Sequence, residues 1–140
     1  MRPIVRSASH EAFRCAVGYA GICDLELMHG IGDTALSRIG QGYLAKAVGT
    51  DAAAFRATSP IHNVDKIASR VLLIHGGKDE RAPIAHAERL REALTASGRP
   101  PGWLVEPNEG HGFYNEKARE RMCARVLGFL QDSLAPPTAH

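Results

Sequence analysis

Residues 71–83 read VLLIHGGKDERAP, and this stretch decides the fold. It opens with four branched apolar residues and continues through His75 into a Gly-Gly pair. An apolar run without alternation is typical of a strand covered on both faces, as in a parallel sheet. Pro83 then favours the start of a helix, where its missing amide proton costs nothing. The stretch therefore predicts a buried strand, a loop that carries Asp79, and a helix.

Hydrophobic periodicity on both sides of this stretch predicts more elements of the same kinds. Short apolar segments predict a buried strand from Phe13 to Ala20 and another strand over residues 103–105. Helical spacing of apolar residues predicts helices over residues 33–48, 51–57, 83–98 and 116–134. Thr50 or Asp51 is expected to cap the second of these helices.

The apolar face of each longer helix follows from the same spacing. In the helix over residues 33–48, the expected core-facing side chains are Leu36, Ile39, Tyr43, Leu44 and Ala47. In the helix over residues 83–98 they are Ile84, Ala87, Leu90 and Leu94. In the helix over residues 116–134 they are Met122, Val126, Phe129 and Leu130. Strands that alternate with helices predict a three-layer α/β unit, a parallel sheet flanked by helices.

Composition excludes several classes of function. The chain carries 17 Lys and Arg against 15 Asp and Glu, and the two signs are interspersed, so we expect no nucleic-acid partner. No apolar run reaches the roughly 20 residues of a membrane span, and the first ten residues lack a secretory signal, which predicts a cytoplasmic protein. Cys15, Cys23 and Cys123 lack C-x-x-C spacing and are expected to be free thiols, with no metal or cofactor.

Two loops carry candidate catalytic residues, and each follows a predicted strand. Asp79 lies in the first loop, and His111 lies between two glycines in the second. Because the carboxyl ends of parallel strands meet at one edge of a sheet, these two side chains are expected to meet. A serine nucleophile needs an imidazole as base and a carboxylate that orients the imidazole. We therefore predict Asp79 as the orienting acid and His111 as the base.

Each of these residues also has a simpler interpretation. Asp79 alone is compatible with a turn or a helix cap, and His111 alone with a solvated loop. His75 is expected to bond to its surroundings at the strand end, and Glu80 and Arg81 to be surface charges. A phosphate-binding loop is disfavoured because the Gly-Gly-Lys run lacks the G-x-x-x-x-G-K-[ST] pattern.

The chain also resembles a known family along nearly its whole length. The segment FRCAVGYAG at residues 13–21, the Ser-Pro pair at 59–60, the HGGKD loop at 75–79 and the GHGF loop at 110–113 are similar to the catalytic domain of prolyl oligopeptidase family serine peptidases. The resemblance implies an α/β-hydrolase fold of which residues 1–140 are the C-terminal half. It also implies that Asp79 and His111 are the acid and base of a catalytic triad.

The nucleophile of that triad is missing from the sequence. In α/β hydrolases it lies in a G-x-S-x-G elbow, and none of the seven serines has that spacing. The serines are Ser7, Ser9, Ser37, Ser59, Ser69, Ser97 and Ser133. The resemblance would put the elbow upstream of Met1. Cys23 is a weak substitute because the second glycine is absent and no helix of strong propensity is expected to start there.

Two functions follow from these residues. The first is a hydrolase of peptide or ester bonds, inactive as this chain alone because the serine is absent. The second is a non-catalytic α/β module that binds a partner or a small molecule. In either case the strand from Phe13 to Ala20 would expose an unpaired edge, through which two copies are expected to dimerise or aggregate.

Overall fold

A computed structural model describes residues 13–136 of the chain as a three-stranded parallel sheet with helices packed on it. The strands are β1 (Cys15–Tyr19), β2 (Arg70–Gly76) and β3 (Gly102–Glu106), in the spatial order β1-β2-β3. Both pairings are parallel, as predicted. The helices are α1 (Leu25–Gly30), α2 (Arg38–Ala47), α3 (Ala52–Thr58), α4 (Ala85–Ala96) and α5 (Glu116–Leu134), with 3-10 turns at Pro60–His62 and Val64–Lys66.

The central strand β2 divides the core into two layers. Its side chains alternate between the two faces of the sheet. Leu72 and Ile74 pack in a cluster with Phe129 of α5, whereas Leu73 packs in a second cluster with Leu90 and Leu94 of α4. A helix therefore covers each face of β2, which explains why the strand is apolar without alternation. The predicted three-layer arrangement is confirmed.

Helices α3, α4 and α5 lie close to their predicted positions. Asp51 caps α3, its carboxylate accepting a hydrogen bond from the Ala53 amide. Asn115 caps α5 in the same way, accepting from the Ala118 amide, and α5 begins and ends where the periodicity predicted. Helix α4 is followed by Gly98 in a left-handed conformation (φ 78°), as expected of a glycine beyond a helix C-terminus.

Strand β1 is not buried, so that part of the prediction was wrong. Val17 and Tyr19 are exposed because β1 lies at the edge of the sheet and pairs only with β2 within the described part of the chain. The strand is also shorter than predicted, running from Cys15 to Tyr19. Pairing of two copies along the outer edge of β1 stays a prediction.

The helix predicted over residues 33–48 begins five residues later, at Arg38, and buries a different face. Residues 33–36 form turns instead, and Gly40 packs so tightly on the Thr34 carbonyl that a Cβ atom there would overlap it. Leu36 and Ile39 are 80% and 90% exposed, and of the five predicted face residues only Leu44 is fully buried. The expectation of a core-facing apolar stripe here was wrong.

Helix α1 was not predicted from the sequence. Its six residues are too few to show a hydrophobic period, and the helix depends on Asp24, whose carboxylate accepts hydrogen bonds from the Glu26 and Leu27 amides. The expectation that no helix follows Cys23 was therefore wrong. None of the helices within residues 13–136 has the length and apolar character needed to cross a membrane.

Helix α4 also buries a histidine that the periodicity did not single out. His86 is fully buried, and neither of its ring nitrogens hydrogen bonds to another described residue. Burial disfavours the charged imidazolium and lowers the pKa of His86 to about 4. Between this value and the unfolded pKa of about 6.5, the unfolded chain binds a proton that the folded chain does not.

We predict that acid weakens the fold through His86. Lowering the pH from 7 to 5 should cost on the order of 2 kcal/mol of unfolding free energy through this residue, measured by urea denaturation. A His86→Leu variant should lose less stability over the same pH change. His62→Leu, at an exposed position, serves as the matched control and should keep the original pH dependence. Equal pH dependence in His86→Leu and the unmodified chain would refute this prediction.

Candidate active site

Two loops meet beyond the carboxyl ends of β2 and β3. Backbone hydrogen bonds join them directly, since the Gly77 amide donates to the Glu106 carbonyl and the Lys78 amide donates to the Glu109 carbonyl, each at 2.9 Å. The acid loop, defined as residues 77–83, and the histidine loop, residues 107–114, are thus held side by side. This arrangement is the one that parallel neighbouring strands predict.

Glycine is required where the two loops touch. A Cβ atom at Gly76 would overlap the Gly110 carbonyl oxygen, and one at Gly77 would come within 2.7 Å of the Pro107 carbonyl oxygen. No real Cβ atom approaches a backbone oxygen so closely. The Gly-Gly pair therefore does more than end the strand, because it allows the backbones of the two loops to come into contact.

This contact brings the two predicted catalytic residues together. Asp79 Oδ2 lies 2.9 Å from His111 Nδ1. The other carboxylate oxygen, Oδ1, accepts hydrogen bonds from the Arg81 amide at 3.0 Å and the Ala82 amide at 2.9 Å. The Asp79 side chain is buried. Asp79 therefore has the turn-forming role that its simpler interpretation gave it, and the same turn directs its free oxygen at an imidazole.

The second ring nitrogen of His111, Nε2, takes no part in the contact with Asp79. The His111 side chain is 45% exposed, and Nε2 has no hydrogen-bond partner within residues 13–136. Because a carboxylate accepts hydrogen bonds, the neutral ring carries its proton on Nδ1 and leaves the Nε2 lone pair open. A group in this state is able to take a proton from a hydroxyl placed next to Nε2.

Two further residues fix the histidine loop and were missed in the sequence. The Phe113 amide donates to the Tyr19 hydroxyl at 3.0 Å, and the two rings meet edge to face with centroids 5.2 Å apart. Although the residue as a whole is 40% exposed, partial loss of hydration is the largest of the influences that raise the pKa of Tyr19. Glu109 accepts hydrogen bonds from the Tyr114 and Asn115 amides at 2.6 and 3.3 Å. Only the position of Tyr19 at a strand end hinted at this role.

The remaining predicted residues lie where the sequence suggested. His75 is buried and bonds to its surroundings, with Nε2 2.6 Å from the Ala82 carbonyl oxygen. Glu80 is exposed, and the exposed side chain of Arg81 makes a long surface ion pair with Asp33 at 3.8 Å. Within the described residues no group of three His, Cys, Asp or Glu side chains is placed to hold a metal ion.

Within the part of the chain that the structure describes, the side chain that hydrogen bonds to His111 is Asp79. None of the serine hydroxyls there hydrogen bonds to His111, while Ser7 and Ser9 lie outside the described residues. Cys23 is buried, and its thiol donates to the Gly21 carbonyl. Burial raises the pKa of Cys23 to about 12, so the thiol is not a nucleophile at neutral pH.

The sequence profile of the prolyl oligopeptidase family matches residues 4–136. The chain belongs to this family. Dipeptidyl aminopeptidase BIII of Pseudoxanthomonas mexicana is 31% identical over 135 residues, which cover 89% of this chain and 19% of that protein. Because the match extends over so much of the chain, the resemblance inferred from the short motifs is confirmed.

Solved structures of peptidases have the same fold as this chain. A puromycin-hydrolyzing peptidase of Mycobacterium tuberculosis has a TM-score of 0.81 at 27% identity, covering 91% of this chain and 20% of that one. An acylaminoacyl peptidase of Pyrococcus horikoshii has a TM-score of 0.80 at 18% identity, covering 95% and 22%. This member of the prolyl oligopeptidase family thus has part of an α/β-hydrolase fold and spans about a fifth of the length of these relatives.

We predict that Gly76→Ala separates the two loops. The added methyl group has no room, so the substitution should destabilise the fold by about 1–3 kcal/mol and break the contact between Asp79 and His111. Chemical denaturation measures the first effect and histidine NMR shifts the second. Gly128→Ala is the matched control, because a Cβ atom there meets nothing within 4 Å and helix α5 should become slightly more stable. Equal stability of the two variants would contradict the packing described above.

Proposed function

We propose that this chain supplies the acid and the base of a serine hydrolase that cleaves peptide or ester bonds. The observation that carries the proposal is the 2.9 Å contact between Asp79 Oδ2 and His111 Nδ1, with the second imidazole nitrogen left open. Family membership supports the same chemistry, since a matched relative is a dipeptidyl aminopeptidase. A peptide is therefore the first substrate class to test, and an ester reacts by the same steps.

In the proposed reaction, Nε2 of His111 transfers protons while Nδ1 stays hydrogen-bonded to Asp79. Nε2 takes the proton of a serine hydroxyl as its oxygen attacks the carbonyl carbon of the substrate. The imidazolium then gives this proton to the leaving amine or alcohol as the C–N or C–O bond of the substrate breaks, which leaves the acyl group on the serine. A water molecule, deprotonated by Nε2, attacks the acyl–serine, and the proton returns to the serine as the acid product leaves.

Asp79 contributes by fixing the ring and by stabilising its charge. The two amides on Oδ1 and the burial of the side chain hold the carboxylate in one orientation before substrate binds. A charge in a fixed, poorly hydrated position stabilises the transient imidazolium more strongly than a mobile one in water. The arrangement thus favours the transition state without any movement of the acid.

The nucleophile is proposed to come from another part of the catalytic domain. Support comes from the lack of a serine bonded to His111 within residues 13–136 and from the relatives, of which this chain matches about a fifth. A serine-directed fluorophosphonate should therefore leave the 140-residue chain unlabelled. Labelling that disappears in His111→Ala would overturn this part of the proposal, because a serine of the chain would then be the nucleophile.

The role of Asp79 is tested in a chimera that provides the nucleophile. Residues 13–136 replace the matching segment of dipeptidyl aminopeptidase BIII, and hydrolysis of a dipeptide anilide is followed by absorbance. We predict that Asp79→Asn lowers kcat by about 10⁴-fold while the chimera stays folded, because the amide holds the wrong tautomer.

Glu80→Gln is the matched control, since it neutralises the neighbouring carboxylate, which is exposed. It should leave kcat within about twofold of the unmodified chimera, as expected of a surface substitution. Full activity of Asp79→Asn, in a folded and active chimera, would remove Asp79 from the mechanism. The chain would then fit the alternative of a non-catalytic module.

A further inference from the structure

His75, near the carboxyl end of β2, contacts the acid loop on its buried side. Its Nε2 lies 2.6 Å from the Ala82 carbonyl oxygen and 3.4 Å from Asp79 Oδ2, the same oxygen that faces His111. His75 is 1% exposed, so water does not compete for these contacts. The residue belongs to β2, the most deeply buried strand, so its side chain is a rigid support for the acid loop.

The position of the proton on His75 follows from its partner. A carbonyl oxygen only accepts hydrogen bonds, so a contact of 2.6 Å requires the hydrogen to be on Nε2. The same nitrogen lies 3.4 Å from Asp79 Oδ2, close enough for its proton to attract the carboxylate electrostatically. His75 is therefore an Nε2-protonated donor, whereas the neutral form of His111 is protonated on Nδ1.

Ala82 connects His75 to Oδ1, the oxygen of Asp79 that does not face His111. Its amide donates to Asp79 Oδ1, while its carbonyl accepts from His75. Ala82 itself is buried, so its peptide groups have little freedom to rotate. Holding the Ala82 carbonyl thus fixes the turn that holds Oδ1, and the remaining oxygen is directed toward His111.

We propose that His75 is a positioning residue for the acid of the triad. It acts through Asp79 and does not touch the substrate. Without its N–H, the turn at residues 79–82 gains freedom and Asp79 Oδ2 spends less time within hydrogen-bond reach of His111. Catalysis suffers more than binding, because the orientation of the imidazole matters in the transition state. This inference rests on the proposed function of Asp79 and His111.

The first test uses the full 140-residue chain and requires no substitution. Long-range ¹⁵N–¹H NMR correlations of labelled histidine distinguish the two neutral tautomers of each ring. The proposal expects His75 to be protonated on Nε2. Protonation on Nδ1 alone would overturn it, since Nε2 would then be unable to donate to Ala82 or to Asp79.

The second test measures kinetics in the chimera described above. His75→Leu should lower kcat by about 10- to 100-fold with little change in KM, as expected when a catalytic group is misplaced by a fraction of an ångström. His75→Gln retains an N–H donor and should recover most of the lost kcat. His62→Leu, at an exposed position, is the control for histidine removal in general.

The outcomes separate this inference from the proposed function. Loss of activity in Asp79→Asn together with full activity in His75→Leu would refute the role of His75 alone. Full activity in Asp79→Asn would refute the triad itself. A His75→Gln variant that is folded but as slow as His75→Leu would also count against the role, because the donor would then be irrelevant. If His75→Leu fails to fold, two results still test the role of His75. Protonation on Nε2 and an active His75→Gln variant support it, and protonation on Nδ1 alone refutes it.

Discussion

The whole site depends on the close approach of two backbone segments at the end of a parallel sheet. Strands β2 and β3 end side by side, and their loops touch where Gly76 and Gly77 leave no Cβ atom in the way. The resulting backbone hydrogen bonds set the distance between the loops before any side chain is considered. Asp79 and His111 meet across 32 positions of sequence because this backbone contact exists.

A second constraint is the cost of burying a carboxylate. Asp79 is removed from water, and an unpaired buried charge is strongly unfavourable. The chain meets this cost with two amide donors on Oδ1 and imidazole groups facing Oδ2. The donors that stabilise the charge also fix the direction of the carboxylate.

A feature of the fold was predictable where burial leaves a hydrophobic pattern in the sequence. The run at β2 and the periodicity of α5 reflect burial on a known face, and both were predicted closely. The contact between Asp79 and His111 was predicted because loops that follow neighbouring parallel strands lie at one edge of a sheet, while the catalytic roles of both residues stay a proposal. The short helix α1 and the exposed faces of β1 and α2 depend on neighbours in space. The periodicity of the sequence does not identify those neighbours. The hydrogen bond of Tyr19 to the Phe113 amide joins residues far apart in the sequence and was missed for the same reason. For His75 the sequence predicted a residue bonded to its surroundings, but it did not identify Ala82 and Asp79 as the partners.

The central claim is that the Asp79 carboxylate accepts a hydrogen bond from Nδ1 of His111. Proton NMR of the full chain at low temperature measures it directly, through the ring N–H signal of His111. The account predicts an Nδ1 proton that is shifted downfield and protected from exchange, and that is lost in Asp79→Ala but kept in Glu80→Gln. A neutral His111 protonated on Nε2, with a signal indifferent to Asp79→Ala, would contradict it.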